Sequence, residues 1–143
     1  MARVKLQIPQ KRLFETQIPV RITDINYGNH LGNDALVSIV HEARVRWLAA
    51  NNFTELNIGG ASLIMGDLAV EYKNESFYGD ILHISIAVDE ISKVSFEILY
   101  EITVCRNTKT TLIANAKTGM VCYEYNAKKV VAIPTSFLEF LSI

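Results

Sequence analysis

The sequence predicts an α+β fold, with one long helix near the start and an antiparallel sheet of about five to six strands wrapped around it. Three observations carry this prediction. Ala35, Leu36, Ile39, Val40, Ala43 and Trp47 recur at helical spacing and leave one apolar stripe. From residue 62 onward the apolar residues alternate, the period of a strand with one buried face. The chain has 143 residues, of which 50% are hydrophobic, enough for one domain (1–143) with a sizeable core.

Taken in order, residues 1–17 mix basic and apolar side chains, and Pro9 blocks a long regular element, so they read as an arm that adds a short edge strand. Residues 18–24 alternate, with Val20 and Ile22 on one face and Arg21 and Thr23 on the other, which predicts a strand. Residues 25–32 form a polar loop in which Gly28 and Gly32 would supply unusual backbone angles. Asn33 or Asp34 caps the helix, which runs to about Ala50 and stops at Asn51–Asn52. Gly59–Gly60 mark a connection.

Strands follow. Leu68, Val70 and Tyr72 share one face, and Gly79–Asp80 turn the chain. Leu82, Ile84, Ile86 and Val88 share a face of the next strand, then Phe96, Ile98, Tyr100, Ile102 and Val104 of another. Asn107–Lys109 makes a hairpin turn into a long strand over 110–125, with Gly119 as a bulge or bend. A short run at Val130–Ile133 and one or two helical turns at Thr135–Leu141 complete the chain.

Composition excludes several function classes. The net charge is −1 and no basic stripe is present to hold a phosphate backbone, so nucleic acid is not an expected partner. No apolar run approaches the roughly 20 residues of a membrane span, and the first twelve residues lack the apolar centre of a signal peptide. A cytoplasmic location is the expectation. Cys105 and Cys122 lie in strand-like runs and read as small buried hydrophobes. Three His and two scattered Cys do not make a metal site, so none is expected.

The chemistry concentrates between Asp24 and Asn33. Asp24, Asn26, His30 and Asn33 can each hydrogen-bond or move a proton, and they precede a helix start whose free amides and dipole favour negative charge. Asn26 either holds a water or shapes the turn through its own backbone. Asp24, two residues earlier, is either a base or an acceptor that fixes the loop. His30 either orients a water or locks the loop. Glu42 is a candidate carboxylate or the partner of Arg46 or Arg21. His41 and His83 read as surface or packing residues.

H-L-G-N at 30–33 with E-A-R at 42–44 resembles the H-V-N-N…E-A-R signature of hotdog-fold acyl-CoA thioesterases of the 4-hydroxybenzoyl-CoA thioesterase type. V-R-I-T-D at 20–24 resembles that fold's first strand, V-E-Y-K-N-E-S-F-Y-G-D at 70–80 its second long strand and Gly-Asp turn, and A-I-P-T-S-F-L-E-F-L at 132–141 its closing tail. One departure stands out: Asn26 occupies the position of the family's usual catalytic Asp, and an amide is neither base nor nucleophile.

The resemblance implies hydrolysis of an acyl-CoA to free acid and coenzyme A, with water as second substrate and no cofactor. It implies a homodimer or homotetramer with the acyl pocket between subunits. Asp24 or Glu42 would be the base, with Asn26 and His30 positioning water or the carbonyl. The Asn33 amide would polarise the thioester. Tyr27, Leu31 and Met65 are the further residues expected at the substrate, and Lys73, Arg106 or Lys109 would hold the nucleotide. Arg44 would pair with a carboxylate. Two alternatives stay open: a binding protein that holds an acyl thioester without cleaving it, and a hydratase or dehydratase pairing Asp24 with His30.

Overall fold

Residues 3–13 form no helix or strand, and the arm does feed an edge strand, β1 (Phe14–Pro19), in a computed structural model that describes residues 3–142. The strand expected at 18–24 is not formed. The chain leaves the sheet after Pro19, and Ile22–Asp24 close a 3-10 turn. The reason is local. The Asp24 carboxylate accepts the Arg21 backbone N–H at 2.8 Å and takes the Arg21 guanidinium at 3.3 Å, which curls the backbone out of the extended state. Val20 is consequently buried while Ile22 is exposed, so they do not share a face.

Helix α1 (Asn33–Ala49) buries Leu36, Ile39, Val40, Ala43 and Trp47 as the stripe predicts, with Ala35 at its margin. It ends in a turn where Asn52 takes φ 64°. After the Gly59–Gly60 connection come β2 (Ser62–Tyr72), β3 (Ile81–Asp89), β4 (Ser95–Arg106), β5 (Lys109–Glu124) and β6 (Lys129–Val130), then α2 (Thr135–Leu141). The sheet is antiparallel, in the order β1-β3-β4-β5-β2, with β6 paired to β5. No helix is long and apolar enough to cross a membrane, among the described residues.

The alternation seen in the sequence sets the sheet's two faces. Leu82, Ile84 and Ile86 on β3, and Phe96 to Val104 at every second position of β4, are buried on the face that receives α1. Trp47, Tyr100, Phe96 and Phe137 are the largest fully buried side chains, each contributing on the order of 2–3 kcal/mol by leaving water. Trp47 and Phe53 meet Phe140 at 5.0 and 5.2 Å between ring centres, which pins α2 to the end of α1.

Gly119 is not a bulge. The register shifts on the partner strand, between Met65 and Asp67, and Asp67 Oδ1 accepts the Gly119 N–H at 2.9 Å. A Cβ at Gly119 would run into that carboxylate, so the glycine makes room for a side chain from β2. Cys122 is buried as expected, and burial pushes its thiol up to about 11. Cys105 is exposed instead, because its strand position faces away from α1.

Candidate active site

A short loop is closed by its own backbone before α1 begins. Ile25 bridges Leu31, the Asn26 N–H donates to the His30 carbonyl at 2.9 Å, and the Asn29 N–H donates to the Asn26 carbonyl at 3.1 Å. The left-handed residue is Asn29 at φ 66°, rather than Gly28 or Gly32. Asparagine tolerates that region better than most side chains. The Asn26 side-chain oxygen accepts the Gly28 N–H at 2.8 Å, so this residue does shape the turn.

Gly32, not Asn33 or Asp34, is the residue before the helix, and no side chain caps it. Its own N–H is spent on the Asp24 carbonyl at 2.9 Å, and Asn33 Oδ1 accepts the Asp34 N–H at 2.8 Å. The Asn33 and Ala35 amides have no partner among the described residues. Free first-turn amides with the helix dipole behind them attract negative charge.

The helix start, at Asn33 and Asp34, borders a cavity of about 960 Å³ between the loop, α1, the end of β2 and the segment after β2. Asn26, His30, Leu31, Asn33 and the exposed Tyr27 border it, so the structure brings these five predicted residues together. Tyr72 closes one side, its hydroxyl donating to the Asn33 carbonyl at 3.3 Å. Burial, with Asp34 nearby, raises the Tyr72 pKa and keeps the phenol a donor.

Three predicted residues lie elsewhere. Asp24 is buried behind the loop with its carboxylate closed on Arg21, and it does not border the cavity. Glu42 sits more than two turns along α1, paired with Arg46 Nε at 2.8 Å. That is the ion pair its spacing allowed. Met65 borders a separate cavity of about 140 Å³, between the Val37–His41 face of α1 and β2. The carboxylates that do border the large cavity are Asp34 and Glu75. Asp34 was expected only as a helix cap, and Glu75 not at all, although it lies in the 70–80 run. Its signal is an acidic residue three positions beyond the end of β2, in the segment that borders the same cavity as the helix start.

His30 is half-buried. Its Nδ1 lies 3.3 Å from the Leu31 carbonyl and its Nε2 lies 3.9 Å from Glu75 Oε1. Of the basic residues considered for a nucleotide, Lys73 borders the cavity and pairs with Glu71 at 3.0 Å. Arg106 is committed to Asp80, and Lys109 does not border the cavity.

Arg44 finds the expected carboxylate: its Nε donates to Glu55 at 2.9 Å, and Nη1 donates to the Tyr100 hydroxyl at 3.1 Å. Burial works against both charges, yet contacts with Tyr100 and Glu55 raise the Arg44 pKa, and contacts with His41 and Arg44 lower that of Glu55. His41, bonded to Glu55 at 2.7 Å, is a surface residue as expected.

The fold is shared with solved structures. The 1,4-dihydroxy-2-naphthoyl-CoA thioesterase from Synechocystis aligns with a TM-score of 0.80 at 21% identity, over 90% of this chain and 95% of that one. A variant of 4-hydroxybenzoyl-CoA thioesterase in complex with 4-hydroxybenzoyl-CoA aligns with a TM-score of 0.81 at 12% identity, over 90% and 97%. The DHNA-CoA thioesterase from Staphylococcus aureus aligns with a TM-score of 0.76 at 19% identity, over 90% and 85%. At these identities the likeness is one of fold, the hotdog arrangement. No curated protein sequence matches the chain. The profile of the Thioesterase-like superfamily matches residues 20–141, which takes in the loop, α1 and the strands that enclose the cavity. The chain belongs to the Thioesterase-like superfamily.

Proposed function

We propose that this chain hydrolyses an acyl-CoA thioester to the free carboxylic acid and coenzyme A. One observation carries the proposal: an uncapped helix start, with Asn33 at its first position, borders a cavity large enough for an acyl group and part of the carrier. In this reading the Asn33 amide polarises the thioester carbonyl, which gains negative charge as water adds. Asn26 and His30 hold the water, and Tyr27 and Leu31 flank the entry. Met65, at the smaller separate cavity between α1 and β2, has no contact with substrate in this reading. Asp24 and Glu42 do not reach the cavity, so the base in this reading is His30.

The reaction needs no cofactor, since coenzyme A is part of the substrate, and that substrate implies a cytoplasmic setting. The outer edge of β2 has no partner strand among the described residues, and Met65, Leu68 and Tyr72 are exposed along it. A homodimer through this edge is part of the proposal, with a homotetramer as its doubled form.

Asn26 supports a second reading, a protein that binds acyl thioesters without cleaving them, because no carboxylate stands at the loop position nearest the free amides. Purified protein assayed for thiol release against 4-hydroxybenzoyl-CoA, 1,4-dihydroxy-2-naphthoyl-CoA and octanoyl-CoA separates the two. Turnover above the uncatalysed rate supports hydrolysis. Binding with background turnover supports the second reading. An unsaturated or hydroxylated thioester formed without free thiol would indicate a hydratase or dehydratase instead.

A further inference from the structure

We infer that Glu75 is a positioning residue for His30, and that together they stand in for the carboxylate missing at Asn26. This rests on the hydrolase reading above. His30, Asp34 and Glu75 are the imidazole and carboxylate side chains that border the cavity. Asp34 lies in the first turn of α1, its Oδ1 within 2.7 Å of where a Gly32 Cβ would be. A negative charge there opposes the oxyanion that the same amides would hold.

The ring geometry gives His30 its direction. The Leu31 carbonyl can only accept, so its contact at 3.3 Å calls for the proton on Nδ1. In that tautomer the Nε2 lone pair is turned toward Glu75. The 3.9 Å from Nε2 to Glu75 Oε1 is too long for a direct hydrogen bond and suits a water donating one hydrogen to each. In the step, the water oxygen bonds to the acyl carbon while its proton passes to Nε2. The carbon–sulfur bond then breaks, and the proton returns from Nε2 to the thiolate sulfur. Glu75 orients the water and offsets the imidazolium charge while it lasts, without itself taking the proton.

The Glu75 side chain is exposed, but its backbone is held on both sides. Asn74 Nδ2 donates to the Leu112 carbonyl at 2.8 Å. Arg106 Nη2 donates to the Glu75 carbonyl at 3.4 Å. Ser76 is buried, its hydroxyl donating to Asp80 at 2.8 Å and its carbonyl accepting the Leu31 N–H at 2.7 Å. This last bond ties the His30 loop directly to the Glu75 segment, so the two side chains are set by one framework.

The test uses the full chain and whichever of the three acyl-CoAs it turns over fastest. Glu75→Gln is expected to lower kcat about 10-fold with KM within twofold, and Glu75→Asp to recover part of the loss. His30→Gln is expected to lower kcat about 10²-fold, and the double variant to be no slower than His30→Gln alone, because Glu75 acts through His30. An unchanged kcat for Glu75→Gln, an effect on KM alone, or losses that multiply in the double variant would each overturn the inference. Wild-type turnover is measured first. If none of the three is cleaved, the hydrolase reading fails and this inference goes with it.

Discussion

Asp80 and Arg106 clamp the segment after β2 onto the end of β4. Arg106 Nε donates to Asp80 Oδ1 at 3.1 Å and its Nη2 closes on Oδ2, while the Phe77 N–H adds a bond to Oδ2 at 2.8 Å. The guanidinium holds the Asp80 carboxyl down at about 2, against the opposing effect of burial. A carboxyl held low in the folded state contributes stability above its unfolded pKa. That contribution fades as pH falls from about 4 toward 2. It amounts to at most about 2 kcal/mol, reduced by solvent screening on the Arg106 side. Urea unfolding of wild type and Asp80→Asn at pH 7 and pH 3 checks this: the gap between them should shrink at the lower pH.

Asn26→Asp should raise turnover. The substitution keeps the acceptor for the Gly28 N–H and adds a carboxylate at the cavity, so the loop can stay closed while gaining a base. An increase of about 10-fold in kcat/KM, measured by thiol release, is expected. Asn26→Ala removes the acceptor and should lower both the midpoint of thermal unfolding and turnover. A drop for both variants would tie the amide itself to the site.

The two carboxylates that the sequence nominated should behave as structural groups. Glu42→Gln breaks an exposed pair with Arg46 and should leave turnover within about twofold and stability within about 0.5 kcal/mol. Asp24→Asn loosens the turn at Arg21 and should lower the thermal midpoint by a few degrees. Any loss of turnover should then follow the loss of folded protein. A fall of about 10²-fold in kcat with an unchanged midpoint would return either residue to the role of base.

Leu68→Lys places a charge on the exposed inner side of the β2 edge. Buried against a second copy, an unpaired ammonium is costly, whereas in a monomer it is solvated. Sedimentation equilibrium should find the variant with a smaller mass than the wild type at the same concentration. Equal masses would remove this edge from the interface.

The order of the elements, the buried stripe of α1 and the inward faces of β3 and β4 were legible in the sequence, because burial repeats at 3.6 residues on a helix and at two on a strand. The loop before α1 was legible as a candidate site for the same kind of local reason: polar groups and glycines immediately precede a helix start. The direction of each acid group was not. In a loop, spacing does not say which way a side chain turns, and the Arg21 amide and guanidinium captured Asp24 before it could face the cavity. Glu75 is 45 positions after His30 and reaches it only because the sheet returns β2 to the start of α1 and the Leu31 N–H finds the Ser76 carbonyl. Local periodicity set α1 and the long strands, while the hydrogen bonds of Asp24 made residues 22–24 a turn against their alternation. Long-range hydrogen bonds, which a single segment does not contain, decided which residues share the cavity.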